Sequence, residues 1–441
     1  MRLRWLFVLF ASVLLSIPVL FSIWMEHIPL HDVPKIAEDR FWGRGDVIKD
    51  DDQIKLFNIQ IEDERIEELK ARLATDRLVD PIDDCPLSAA RHELMSNLSK
   101  VMAAFNWKQH QQFLNSFKQY RTQIEGLNIH FLRVSLPKEP SVDVVPLLLL
   151  HGFPGSHWTF YKVIPILTNP VRFGFDFGVK RPLRFEVIVP SLPGFLFSSK
   201  IHKAGFHTTD AARIMGKLMR RLTVQKYFVH GSELLGTEIA ATVAALYPTE
   251  VRGAHLSNPI VHPQFSTQVF FKTLMENFPR DEATSSRSEF LERSHDLALN
   301  SELIGDALAS SPLGSASYLM SVWSMFSSRD RSQMLNDLFT LDELATVSYL
   351  YFLTGTTPHA ASMMRTFMIE ELPRQRWQVR TPCGILQSPE TPWISSRSIL
   401  RHRFLNITSF TTASRGGAFL HLQDPNAFAA DVFRFVEPVL L

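Results

Sequence analysis

Apolar runs that lack polar alternation recur along the second half of the chain. They occupy residues 144–150, 185–190, 227–229, 251–256, 383–388 and 407–413. Strands that are apolar on both faces are typical of a parallel sheet with helices covering each side. An Ala-rich stretch at 237–247 predicts one of those helices. The pattern therefore predicts an α/β fold with a mostly parallel sheet.

Two other regions have helical or mixed patterns. Ile66, Leu69 and Leu73 share one face of a helix predicted over residues 62–75, and residues 123–134 predict a strand approached through a turn at Gly126. Between 262 and 378 the chain is mostly helical and rich in Phe, Met and Leu. We predict that this insertion forms a cap over the carboxyl edge of the sheet, where open α/β sheets bind ligands.

These patterns divide the chain into five parts. The predicted parts are an N-terminal anchor at 1–25, an N-terminal extension at 26–140, a first core part at 141–261, the helical cap at 262–378 and a second core part at 379–441.

The first part carries an uncharged apolar run at residues 5–25. As a helix it would span about 32 Å at ~1.5 Å per residue, which matches a hydrocarbon core of about 30 Å. A cleaved signal peptide is the alternative, since Arg2 and Arg4 form a basic start. However, the run exceeds the usual apolar length of about 7–15 residues, and no Ala-x-Ala-like site follows it. We therefore predict an uncleaved membrane anchor.

The orientation of this anchor stays open. Arg2 and Arg4 favour a cytoplasmic N-terminus, but Lys35 and further basic residues lie within range on the other side. Asn97 and Asn406 each begin an N-x-Ser/Thr triplet and would be glycan acceptors only if the bulk of the chain were lumenal.

Composition narrows the function classes. The 441 residues include 46 Lys and Arg against 45 Asp and Glu, a net charge of +1 that gives no support to nucleic-acid binding. A hydrophobic fraction of 45% excludes a disordered chain. Two cysteines, Cys85 and Cys383, cannot form a disulfide framework or a Cys-rich zinc site. We predict neither a metal nor a cofactor.

Several motifs follow the predicted strands in a fixed order. HGFPGS stands at 151–156, PSLPGFLFSS at 190–199, SPLG at 311–314, TGT at 354–356 and RGG at 415–417. In this order and spacing the chain resembles the microsomal epoxide hydrolases, including the juvenile-hormone epoxide hydrolases of insects. The resemblance implies the α/β-hydrolase fold and a location in the endoplasmic reticulum membrane.

The resemblance also implies a chemistry. An Asp on a sharp strand-to-helix turn opens the epoxide as an ester, and a His oriented by an acid activates water to hydrolyse that ester. Two cap tyrosines hydrogen-bond the epoxide oxygen. The backbone of His151, Gly152, Phe153 and Pro154 would border the ligand pocket.

The nucleophile position of this chain lacks a nucleophile. A sharp turn of this kind needs small residues two positions before and two positions after the nucleophile. Ser232 and Gly236 satisfy that spacing around Leu234, whose side chain has no reactive group. Glu233 is one residue early, and choosing it would put Leu235 where a small residue belongs.

The base and acid positions are also substituted. The base should follow the Gly-Gly pair, where Ala418 stands, and His421 lies three residues further on. The orienting acid should stand at the end of the strand at 383–388, at the position of Gly384. Glu390 follows six residues later and is a weak substitute.

The two tyrosine positions fall on Arg293 and Met364. A guanidinium cannot release a proton at neutral pH, and a thioether has no proton to donate.

Three hypotheses follow from these substitutions. The leading one is a membrane-anchored family member without ester-route epoxide hydrolysis, which keeps an apolar cavity for a lipophilic molecule or a partner protein. The alternative is an active epoxide hydrolase whose site is rebuilt from Glu233, His421, Glu390 or Arg293. The third is a structural membrane protein with a collapsed pocket.

Overall fold

The computed structural model describes residues 16, 20, 30, 36–137, 139–174, 182–276 and 301–440. The predicted anchor at 5–25, apart from residues 16 and 20, and the cap position Arg293 lie outside these ranges. Within the described ranges, no helix has the length and apolar character needed to cross a membrane.

The core of the molecule is a nine-stranded sheet with the spatial order β1-β2-β3-β5-β4-β6-β7-β8-β9. The strands are β1 Lys55–Phe57, β2 Gln119–Ile124, β3 Leu127–Val134, β4 Asp143–Leu150, β5 Leu183–Pro190, β6 Tyr227–Gly231, β7 Val251–Ser257, β8 Cys383–Gln387 and β9 Ile407–Thr412. The pairs from β5 to β9 are parallel, and those among β1, β2, β3 and β5 are antiparallel. The predicted α/β fold with a mostly parallel sheet is confirmed.

Helices surround this sheet. They are α1 Asp63–Thr75, α2 Pro86–Ala104, α3 Trp107–Leu114, α4 Val163–Thr168, α5 Thr208–Arg221, α6 Leu235–Leu246, α7 Thr267–Glu276, α8 Ser301–Ser310, α9 Pro312–Ser327, α10 Leu341–Thr354, α11 Thr357–Thr366, α12 Arg397–Leu400, α13 Leu420–Gln423 and α14 Pro425–Leu440. Helices α7 to α11 lie between β7 and β8, in the region predicted as a helical cap.

The residues of β4 show why the strands lack polar alternation. Leu148 and Leu150 belong to one hydrophobic core, together with residues of α5 and α6. Leu147 and Leu149 belong to a second core, together with residues of α4 and α14. Because neighbouring side chains of a strand point to opposite faces, the two cores cover the two faces of the sheet.

In its described residues, the N-terminal extension contains three helices, α1 to α3, and three strands, β1 to β3. The predicted helix is confirmed as α1, with Ile66, Leu69 and Leu73 buried. The strand predicted over 123–134 is found as β3, and the predicted turn at Gly126 precedes it, with φ angles of 54° at Glu125 and 78° at Gly126. This turn also joins β3 to β2 in a hairpin that the sequence does not predict. Two consecutive positive φ angles are typical of tight hairpin turns. The first strand was missed because its sequence, QYRTQI, is largely polar.

Candidate functional site

The turn between β6 and α6 is the sharp strand-to-helix turn that the sequence predicts. Glu233 has a φ of 45°, a backbone conformation that is uncommon for a side chain of this size, and Leu234 follows with a φ of 13°. The positive φ therefore falls on Glu233, one residue before the position that the spacing predicts. The Leu234 side chain is buried in the larger hydrophobic core.

Two glycines explain the difference of one residue. A Cβ on Gly231 would lie 2.6 Å from Thr237 Cα, and one on Gly236 would lie 2.5 Å from the carbonyl oxygen of His151. These are the positions where the helix closely approaches β6 and the end of β4. Gly231 and Gly236 are one residue further apart in the sequence than the predicted small residues, Ser232 and Gly236. The turn is therefore one residue longer than the predicted spacing.

The Glu233 carboxylate lies at the centre of the site. Its Oε2 accepts a hydrogen bond of 2.5 Å from the backbone N–H of Gly152, and its Oε1 lies 3.2 Å from His421 Nε2. The Ser232 hydroxyl is 3.4 Å from the same Oε1. The side chain of Glu233 is 0% exposed and that of His421 is 1% exposed. The structure thus brings together two of the residues that the sequence offers as substitutes.

The loop after β4 encloses this carboxylate. A Cβ on Gly152 would lie 2.2 Å from the Glu233 carbonyl oxygen, and a Cβ on Gly155 would lie 2.3 Å from Glu233 Oε2. Only glycine fits at these two positions without a shift of the loop or of the carboxylate.

Of the other predicted pocket residues, His151 has a structural role. Its Nδ1 lies 2.9 Å from the Gly152 carbonyl oxygen, and its Nε2 accepts a hydrogen bond from the Leu192 backbone N–H. Burial lowers the pKa of His151 to about 4, so the ring is neutral at pH 7. Phe153 is buried and precedes Pro154 through a cis peptide bond.

The ring of His421 lies in an aromatic environment. Its centroid is 4.6 Å from that of Phe160 and 5.9 Å from that of Phe428. Although Nε2 is close to Glu233, the orientation of the ring is not that of a hydrogen bond, and Nε2 has no hydrogen-bond partner among the described residues. Ala418, at the predicted base position, is buried, and its N–H donates to the Phe326 carbonyl oxygen.

The predicted acid position is far from suitable for its role. Gly384 is the second residue of β8 rather than a residue at its carboxyl end. A Cβ there would lie 2.6 Å from the ring of Phe435 in α14. Glu390 is half-buried, and its backbone N–H donates to Gly416. In the described ranges, no hydrogen bond or ion pair joins Glu390 to His421, so Glu233 is the only carboxylate paired with this imidazole there.

Two tyrosines near the site were missed by the sequence reasoning. Tyr351 of α10 donates its hydroxyl to the Gly155 carbonyl oxygen at 2.6 Å, and Tyr318 of α9 has its ring centroid 6.3 Å from that of Phe153. Burial, with the Glu233 charge as a second cause, raises the pKa of Tyr351 well above 10. Burial raises the pKa of Tyr318 to about 12. Both tyrosines lie within the predicted cap, whereas the predicted position Met364 is a buried side chain of α11.

The site thus contains a carboxylate, an imidazole and two phenols, which are the groups needed for nucleophilic and general-base chemistry. Both carboxylate oxygens are already occupied by protein groups. In the described part of the chain, no cluster of three or more metal-ligating side chains is found.

Comparisons with known proteins agree with the fold and the motifs. A model of the epoxide hydrolase N terminus matches residues 54–160, and a model of the alpha/beta hydrolase fold matches residues 145–355. Epoxide hydrolase 1 of Sus scrofa is 31% identical over 430 residues, covering 90% of this chain and 92% of that protein. Juvenile hormone epoxide hydrolase of Bombyx mori is 30% identical, covering 96% of this chain and 95% of that protein. The crystal structure of juvenile hormone epoxide hydrolase from the silkworm Bombyx mori matches with a TM-score of 0.81 and 27% identity, covering 92% of this chain and 99% of that one.

Proposed function

Since the chain belongs to the epoxide hydrolase family, we propose that it is a member that binds a lipophilic molecule and does not hydrolyse epoxides through a covalent ester. The observation that supports this proposal is the enclosure of Glu233. Its side chain is fully buried, one oxygen faces the Gly152 N–H and the other faces His421.

A carboxylate nucleophile must present a free oxygen within about 3–3.5 Å of the carbon that it attacks. In this site a substrate carbon has to displace either Gly152 or His421 to reach that distance. Among the described residues, the imidazole also lacks the second carboxylate that orients the base in triad enzymes, and loss of single triad members lowers rates by about 10⁴–10⁶. A site that keeps the family fold, but whose described residues offer no free carboxylate oxygen and no oriented base, favours ligand binding over epoxide hydrolysis.

An epoxide assay tests this proposal. Full-length protein and its Glu233→Gln variant are incubated with styrene oxide, and diol formation is measured against buffer alone. We expect equal rates for the two proteins, at the level of buffer. Diol formation that Glu233→Gln abolishes would contradict the proposal, because contaminating hydrolase would be present in both preparations.

A second candidate function is epoxide hydrolysis by a rebuilt site, and the position of Glu233 favours it. Glu233 lies at the apex of the turn, with the Gly152 N–H at one oxygen and His421 at the other. Here Oε1 would attack an epoxide carbon, the carbon–oxygen bond would break, and a phenol would donate its proton to the alkoxide. Water would then attack the ester carbonyl and give a proton to His421, the ester carbon–oxygen bond would break, and the imidazolium would protonate the departing alkoxide to release the diol. The carboxylic acid left at Glu233 would return its proton to the phenolate, which regenerates the carboxylate and the phenol.

Isotope labelling separates the two candidates. In a single turnover in H₂¹⁸O, ester hydrolysis at the carbonyl places ¹⁸O in the Glu233 carboxylate, and peptide mass spectrometry detects it. The rebuilt site predicts this label in the wild type and an accumulating ester in His421→Gln. The non-hydrolytic proposal predicts neither product.

The proposed function includes attachment to the endoplasmic reticulum membrane through residues 5–25. The uncharged apolar run of that segment supports it. We expect the full chain to stay in the membrane pellet after alkaline carbonate extraction and a chain lacking residues 1–25 to be released. A mature N-terminus that begins after residue 25 would instead identify a signal peptide. Removal of glycans from Asn97 or Asn406 by a glycosidase would identify a lumenal orientation.

A further inference from the structure

A cavity of about 580 Å³ lies between α2 and α9, away from the enclosed carboxylate. Its walls are mainly apolar and include Leu94, Met95, Met320, Met325 and Met334. Volumes of about 300–1,000 Å³ are typical of small-molecule sites. Methionine side chains are flexible and polarisable, so they adapt to ligands of irregular shape.

Among its described residues, the cavity lining carries a positive charge and no negative charge. Arg91 of α2 is the only charged side chain among the described residues that line it. The guanidinium is exposed, and it forms no hydrogen bond or ion pair with any residue of the described ranges. By contrast, Arg72 of the neighbouring α1 is paired with Glu68 at 2.6 Å. Arginine binds carboxylates through two parallel N–H donors, and an unpaired Arg91 can offer this geometry to a carboxylate.

We propose that this cavity binds an aliphatic carboxylic acid of medium or long chain, with the chain among the methionines and the carboxylate at Arg91. The inference rests on the lipophile-binding part of the proposed function. It assigns the ligand to a place lined by neither Glu233 nor His421. Tyr318 contributes to both the cavity and the surroundings of Glu233. It lines the cavity, and its ring is close to that of Phe153 in the loop around Glu233.

Photolabelling tests the proposal on the full chain in a lipid membrane. Protein in phosphatidylcholine vesicles is irradiated with a diazirine derivative of dodecanoic acid or of dodecanol, and labelled peptides are identified by mass spectrometry. We expect label on α2 and α9, and we expect unlabelled laurate to compete with it.

Three variants define the site. Arg91→Met should reduce labelling by the acid about fivefold, as expected for loss of a charge-assisted hydrogen-bonded pair, and leave labelling by the alcohol unchanged. Lys100→Met is the matched control, since Lys100 is exposed on the same helix but does not line the cavity. It should change neither. Ser324→Phe places a ring in the cavity from a half-buried position and should abolish both labels. Each variant should keep the melting temperature of the wild type.

Label on peptides outside α2 and α9, or undiminished labelling of Ser324→Phe, would contradict binding of the acid in this cavity. Equal loss of acid and alcohol labelling in Arg91→Met would overturn the assignment of a carboxylate. Epoxide turnover, measured on the same preparations, distinguishes the two proposals. Turnover together with the expected label contradicts only the non-hydrolytic function, whereas missing label without turnover contradicts only this site.

Discussion

His230 and His255 face each other in the second hydrophobic core with their Nδ1 atoms 2.9 Å apart. His255 Nε2 is also 3.1 Å from Asp431 Oδ2. In the His255 tautomer that donates its Nε2–H to this carboxylate, Nδ1 accepts a hydrogen bond from the Nδ1–H of His230. Burial, followed by the proximity of His255, lowers the pKa of His230 well below 6.5. His230 is thus held neutral at pH 7.

This polar chain lies under the turn at Glu233. The rings of Phe160 and Phe428 contact both His230 and His421. At the other end, burial alone would raise the pKa of Asp431, but the hydrogen bond and charge of His255, with smaller contributions from Thr411 and Arg434, together outweigh burial and the pKa of Asp431 is lowered. The site is therefore supported by a buried polar chain of His230, His255 and Asp431.

Acid should unfold the protein through its buried histidines. Burial lowers the pKa values of His130, His151, His157 and His230. The unfolded state binds protons below about pH 6.5 while these folded rings stay neutral, so stability is present above that pH and is lost as the pH falls. We expect a loss of about 1.4 kcal/mol per pH unit for each such ring. Urea unfolding between pH 8 and pH 4.5 measures it.

The variant His157→Gln tests whether buried histidines cause this loss of stability in acid. Burial lowers the pKa of His157 to about 3, and its Nδ1 lies 3.0 Å from the Ser191 hydroxyl. His157→Gln should reduce the slope below pH 6.5 by about 1.4 kcal/mol per pH unit. Parallel curves for the wild type and the variant would contradict this prediction.

Glu233 and His421 should be energetically coupled. Both side chains are buried, and substitutions at residues in contact usually deviate from additivity by about 0.5–3 kcal/mol. We expect Glu233→Gln and His421→Gln each to destabilise the protein, and the double variant to lose at least 1 kcal/mol less than the two losses added. A double-mutant cycle by urea unfolding at pH 7 measures the difference. Additive losses would show that the contact of 3.2 Å between His421 Nε2 and Glu233 Oε1 does not contribute to the free energy of unfolding.

The sequence predicts the sheet better than the site. Apolar strands such as β4 are visible because burial on both faces removes every polar residue, whereas the polar β2 leaves no such pattern. Glu233 and His421 could be named only as substitutes, because their contact joins distant parts of the chain. The apex of the turn depends on where backbones approach, at Gly231 and Gly236, and residue spacing alone places it one residue late.

Gly152 should tolerate no side chain. A Cβ there would lie 2.2 Å from the carbonyl oxygen of Glu233, and a backbone atom cannot move aside as a flexible side chain can. We expect Gly152→Ala to cost about 3 kcal/mol or more, in the range of severe steric changes. Gly45→Ala is the control, since Gly45 has a φ of 71° and no heavy atom within 4 Å of its Cβ position. It should cost only about 1–2 kcal/mol of backbone strain. Equal losses in urea unfolding would refute the steric explanation.

Glu238 and Arg403 form a second buried pair, which fixes the first turn of α6 directly after Glu233. The guanidinium donates two hydrogen bonds of 2.7 Å to the two carboxylate oxygens, and the side chains are 3% and 1% exposed. Glu238→Leu should lower the free energy of unfolding by about 3–5 kcal/mol, because it leaves the guanidinium buried and unpaired.

Adding Arg403→Met to Glu238→Leu should restore most of that loss, since both charges are then absent. Glu250→Gln is the control, because its partner Arg220 is 50% exposed and such pairs contribute at most about 1 kcal/mol. The four proteins are compared by urea unfolding at pH 7. If the double variant were as unstable as Glu238→Leu, the loss would reflect packing around α6 and not an unpaired charge.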